Sequence, residues 1–103
     1  MKKVRYKVWD CQVKFQRYSN DRLAIQLVTE KGEPVAMATI NLPFVPLADD
    51  EVLIKSYEEN EGMLACLSDA KIIEPTGIVI KVRKNDAHIC KLLKFDDVKA
   101  SMH

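Results

Sequence analysis

The chain has 103 residues, a formal net charge of +1, 48% hydrophobic and 30% charged residues, which means one domain by length and an ordinary globular composition. No apolar run approaches the roughly 18 residues that a membrane span requires, and Arg5, Lys7 and Asp10 break up the first ten residues, which argues against a secretory signal. Three cysteines, Cys11, Cys66 and Cys90, stand far apart with no CxxC pair; that predicts reduced thiols in a cytoplasmic protein rather than a disulfide framework.

Charge is unevenly distributed. Residues 1–22 carry seven cations against two carboxylates. Residues 23–76 carry three cations against ten carboxylates, and residues 77–103 carry six cations against three. Basic ends around an acidic middle predict a polarised surface.

In chain order, Val4 to Gln16 reads as strand. Apolar residues fall on even positions to Val8 and on odd positions from Trp9, so either a β-bulge shifts the phase or two short strands meet at a bend. Trp9 and Phe15 are expected in the core. Arg17 to Asp21 is turn chemistry. Arg22 to Thr29 is a second strand, followed by a short loop with Gly32. Pro34 to Asn41 is a third, apolar on both faces and therefore expected in a covered position. Pro43 and Pro46 prevent regular pairing in Leu42 to Leu47; this loop either packs over the sheet or offers Phe44 to a partner. Ala48 to Glu51 is an acidic turn, and Val52 to Lys55 a short strand.

Tyr57 to Gly77 carries the helical pattern: Met63, Leu64, Leu67 and Ala70 recur at helical spacing. Ser56 with Glu59 matches a capping box, and Asn60 is a competing cap. Glu58, Glu59 and Glu61 favour the positive end of the helix dipole, and Pro75 stops the helix. About three turns are expected, too few to be stable without docking on a sheet. Ile78 to Arg83 and Ala87 to Leu93 form a hairpin about a turn at 84–86. Residues 94–103 are polar apart from Phe95, Val98 and Met102 and are expected to fray. The expectation is one α+β domain over residues 1–93, an antiparallel sheet in the order β-β-β-β-α-β-β with one helix packed on one face.

Chemistry is sparse. Gly32, Gly62 and Gly77 form no phosphate-binding loop, and no serine lies in a nucleophile elbow. His88 and Cys90 would share a strand face, but two residues make neither a metal site nor a well-aligned nucleophile and base. No catalytic residue, metal or cofactor is assigned. Asp49, Asp50, Glu51, Glu58, Glu59 and Glu61 are the candidate partner-binding set, an acidic face for a basic protein surface. Lys3, Arg5, Lys7, Lys81 and Arg83 are the alternative set, a basic sheet face for nucleic acid or a nucleotide. Edge pairing of Val4–Phe15 or Ile89–Leu93 would turn a monomer into a homodimer.

Residues 20–27 (NDRLAIQL), Gly32 to Ala36 with Asn41-Leu42-Pro43, Asp50 to Lys55, Glu59 to Leu64 and Ile73 to Gly77 together resemble an uncharacterised family of small proteins from bacterial phages, plasmids and conjugative elements. The resemblance spans roughly residues 4–93. It implies a mobile-element origin and, carrying no enzymatic assignment, adds no catalytic residues. The function expected on these grounds is non-catalytic: an accessory protein, such as an inhibitor of a host CRISPR or restriction system, acting by protein contact through the acidic residues. Nucleic-acid binding is the alternative, and a small enzyme the third reading.

Overall fold

Alternating apolar residues and tight turns lay out the first half of the chain as a meander. The computed structural model describes residues 2–102. Strands β1 (Lys3–Tyr6), β2 (Trp9–Arg17), β3 (Leu23–Val28) and β4 (Pro34–Met37) pair antiparallel in that order. Lys7 and Val8 form the turn between β1 and β2, with Lys7 at φ 55°. The phase switch at Val8–Trp9 is thus a hairpin, the second of the two expected arrangements. The register sets Val13 opposite Leu27 and Phe15 opposite Ile25, and Val13, Ile25 and Leu27 are buried. Phe15 packs against this core from a half-buried position. Trp9 does not join the core: it stands beside the turn and is half exposed.

The apolar run after β4 joins two sheets. Ala38 donates its N–H to Ile25 of β3, while the Ala38 carbonyl accepts from Lys55 and Ile40 donates to Leu53. Lys55 and Leu53 belong to β5 (Glu51–Lys55). Of the run expected to be covered on both faces only Ala38 and Thr39 are buried, where a strand bonds on either side, while Pro34 is exposed and Val35 to Met37 are half-buried; the paired strand itself ends at Met37. Thr39 sits buried at the joint. Its hydroxyl accepts the Ile25 N–H at 3.2 Å and bonds the Tyr18 hydroxyl at 2.8 Å, so the buried oxygen has partners, as it must. The second sheet is antiparallel with order β5-β7-β6, where β6 is Ile73–Val82 and β7 is Asn85–Leu92. The hairpin turn is Arg83-Lys84, one position earlier than the pattern suggests, with Arg83 at φ 59°.

The expected three-turn helix is cut short at both ends. Only Met63–Asp69 is α-helical (α1), after a single 3-10 turn at Glu58–Asn60. Gly62 lies at φ 87°, a left-handed conformation that glycine adopts without steric cost; this answers why alanine is absent there. Lys71 at φ 60° ends the run at the other side. Ile72 and Ile73 are both buried, and β6 runs straight through Pro75, which sits opposite Cys90 at the start of an irregular stretch. Pro75 is therefore a strand residue and not the helix stop. Asn60 does not cap the helix, and Ser56 meets one of its free N–H groups without forming the expected capping box. The Asn60 amide donates to the carbonyls of Met37 at 2.7 Å and Lys55 at 3.1 Å. The Ser56 hydroxyl accepts from Leu64 inside the helix, without a box partner in Glu59.

Helix α1 touches β1 of the first sheet and β5 and β6 of the second. Met63 and Leu67 are its fully buried residues. The segment expected to fray carries a second helix, α2 (Phe95–Ser101). Val98 is buried in the main core, and Phe95 and Met102 pack against it, so three apolar residues spaced on one face are enough to dock it. The architecture is α+β: two antiparallel sheets of four and three strands with two short helices. Val4–Phe15 and Ile89–Leu93 lie largely in β2 and β7, which are flanked on both sides; the sheet edges are β1, β4, β5 and β6. Edge pairing through β7 is therefore excluded. Among the described residues no helix is long and apolar enough to cross a membrane.

Candidate functional site

The six acidic residues lie at opposite ends of β5. Asp49 and Asp50 precede the strand, Glu51 is its first residue, and Glu58, Glu59 and Glu61 follow it. The four residue steps from Glu51 to Lys55 span about 13 Å. Each group meets cations. Asp50 pairs with Lys91 at 3.7 Å, and the Glu51 carboxylate accepts the Ala48 N–H at 2.8 Å. Asp49 and Glu51 border a cleft with Arg17, Arg22 and Lys99. At the other end, Lys55 pairs with Glu59 and Asn85 donates to Glu58 at 3.5 Å. The bond from Lys55 holds the Glu59 carboxyl below its ordinary range and raises the Lys55 ammonium in turn. The Lys7 ammonium donates to the Glu59 carbonyl at 3.0 Å. The expected segregation of charge is corrected here: the β1–β2 turn from the basic N-terminal block folds directly onto the acidic segment.

The backbone under Glu58, Glu59 and Glu61 is held from below. The Tyr6 hydroxyl is shared between the carbonyls of Glu59 and Glu61, at 3.2 and 3.0 Å. Asn60 is buried between them, and all three glutamates are exposed. The alternative basic residues are not gathered. Lys3 and Arg5 lie on β1 and Lys7 in the turn after it, while Lys81 lies on β6 and Arg83 in the hairpin turn of the other sheet. Arg5 pairs with Asp10 and Lys81 with Asp86, each at 2.9 Å.

Two features have a clearer shape. The first is the proline loop. Val45 is buried against Leu53, Ala87 and Ile89 on the outer side of the second sheet, with Leu42 and Leu47 beside it. Arg22 reaches across and donates to the carbonyls of Leu42, Pro43 and Val45. Val45 N–H closes the turn on the Leu42 carbonyl at 3.0 Å. Phe44 stands at the tip of this turn with 78% of its surface exposed, the most exposed large apolar residue described. The loop therefore packs on the sheet through Val45, as the first expectation has it, and leaves Phe44 exposed.

The second is a groove of about 770 Å³ between β2 and the segments that lead into β6 and α2. Lys2, Lys14, Lys71 and Lys94 come to it from four separate stretches of the chain. No pair pattern in the sequence marks these lysines, since only the folded chain brings them together.

Among the described residues no three His, Cys, Asp or Glu side chains converge as metal ligands. Cys90 is fully buried, and burial pushes its thiol up to about 12; Cys66 and Cys11 are raised by burial as well. Thiols held protonated in this way are poor nucleophiles at neutral pH. His88 is half-buried on β7, and Cys90 Sγ faces the His88 carbonyl rather than its ring. No family model, curated protein or solved structure matches the chain.

Proposed function

We propose that the chain is a non-catalytic binding protein that captures a protein partner through the 42–51 loop, with Phe44 as the anchor. One observation carries this reading: a fully presented phenylalanine sits on a turn fixed by Arg22, two prolines and the buried Val45. An aromatic anchor on a preorganised loop loses little side-chain and backbone freedom on binding. The acidic turn in the same loop, Asp49-Asp50-Glu51, supplies a charged rim, which favours a basic partner surface with an apolar pocket. The resemblance to proteins of mobile elements points to a host defence nuclease complex as a partner of that chemistry. Such a contact agrees with the acidic-surface expectation and moves its centre from the glutamates at 58–61 to the loop.

Capture from nuclease-treated host lysate tests the proposal. Phe44→Ala is expected to lose the partner with an unchanged circular dichroism spectrum and melting temperature, whereas reversing Glu58, Glu59 and Glu61 to lysine leaves capture in place. Retention by Phe44→Ala and loss on reversing the glutamates would return the working surface to the 58–61 end. Loss of all capture on nuclease treatment would instead support nucleic-acid binding.

A further inference from the structure

We infer that the groove between β2 and α2 is a binding site for an anionic amphiphile, an aliphatic chain ending in a carboxylate or phosphate. Its volume of about 770 Å³ lies within the range of ordinary small-ligand pockets, which combine an apolar lining with a few placed polar groups. Val13, Ile72, Leu93 and Val98 line it, with one aromatic ring, Phe15. Val13, Ile72 and Val98 belong to the main core and are buried, so the half-buried Phe15 and Leu93 supply the apolar surface that the groove leaves accessible. An aliphatic lining with a single ring suits an alkyl chain better than a stack of bases.

The rim sets the charge of the occupant. Lys2, Lys14, Lys71 and Lys94 are all exposed, and none lies within ion-pairing distance of a carboxylate among the described residues. Asp97 is the one carboxylate on the groove. Four cations around an apolar floor attract an anion, and an ammonium on a flexible stem meets phosphate or carboxylate as a point charge. Two of the four stand where a side chain is disfavoured: Lys71 at φ 60° and Lys94 at φ 54°. Glycine would fit either backbone without strain. Lys7, Asp21, Glu58 and Arg83 adopt the same backbone sign away from the groove, so the four ammonium groups, and not the strain, mark the site.

The same strain supplies the control. Lys71→Gly with Lys94→Gly removes two rim cations and relaxes two left-handed residues, so the variant stays folded while losing affinity. Calorimetric titration with dodecanoate, dodecyl phosphate and dodecyltrimethylammonium, each below its micelle concentration, separates charge from chain. Both anions are expected to bind saturably, and amide shifts in the NMR spectrum to concentrate on residues 13–15, 71–72 and 93–98. The double variant is expected to bind about fivefold more weakly or worse with an equal or higher melting temperature. Stronger binding of dodecyl phosphate than dodecanoate would assign the head group as phosphate, and the reverse order as carboxylate. Equal binding of the cationic amphiphile, undiminished affinity in the double variant, or binding only to phosphatidylglycerol vesicles and not to monomers would each overturn the proposal.

Discussion

Removing the amide of Asn60 would strand two backbone carbonyls at once. Its Nδ2 reaches Met37 in the first sheet and Lys55 in the second, so a single side chain ties the loop before α1 to both. A carbonyl left without a partner in a buried setting costs about 1–3 kcal/mol. Asn60→Ala is expected to lower stability by that order, read as a shift in the urea midpoint without change in slope, and Asn60→Asp to do no better, since it has no donor for either carbonyl. Cys90 gives a second prediction at this scale. Its folded thiol holds a proton to about 12, against an ordinary 9.0. Across that window the folded chain binds more protons than the unfolded one, so stability falls as pH rises above about 9. Cys90→Ala is expected to reduce this slope, the raised Cys11 and Cys66 thiols keeping part of it; equal alkaline slopes in the two proteins would contradict it. Asn60 also shows a limit of local reading. Its place before an apolar run suggests a cap, a role it does not take; its partners lie on other strands, and no spacing in the chain announces them.

At the scale of elements, α1 is the clearest docking contact. It is one two-turn helix of Met63–Asp69, too short to persist alone, and it is secured through Met63 and Leu67, both fully buried. Leu67→Ala is expected to cost about 2–5 kcal/mol, measured by chemical denaturation, whereas Ala65→Ser on the exposed side is expected to be near neutral. The strands were legible because alternation and turn residues agree along β1 to β4 and along β7. The helix was overread, since apolar spacing continues past the point where backbone sign changes at Gly62 and Lys71 end the run. Two adjacent isoleucines, Ile72 and Ile73, fit a strand entering the core better than a helix face. The second helix was missed because its apolar residues, Phe95, Val98 and Met102, are few and set among charges. What they dock against, the core around Val13 and Ile72, exists only after folding.

For the whole molecule, β6 is the exposed liability. It is an edge strand, and Ile78 and Val79 are about half exposed. The irregular stretch between Pro75 and Val79 bends this edge, and Lys81 places a charge on it, two of the devices by which edges avoid pairing with other chains. Lys81→Val is expected to make the protein self-associate, seen as a concentration-dependent shift in sedimentation velocity, with little change in unfolding midpoint at low concentration. The fold class was legible at this scale, since strands dominate and their turns are short. The candidate sites were much less so. Phe44 stood out between its prolines, but the acidic residues fall into two groups at either end of β5, with Lys55 pairing locally with Glu59 and the β1–β2 turn bringing Lys7 to the Glu59 carbonyl.

The joint at Thr39 has a kinetic consequence. Strands β1 to β4 are successive hairpins whose closure costs little chain entropy, whereas β5 must pair with β7, Glu51 opposite Lys91, across the helix and all of β6. Closing that long loop is slow until something holds β5 in place. Residues 38–40 bond β3 on one side and β5 on the other, so the completed meander can serve as the template on which β5 is laid down before β7 arrives. Refolding should then proceed in order, the first sheet gaining amide protection ahead of the second, with Thr39→Ala slowing the later step more than the earlier one.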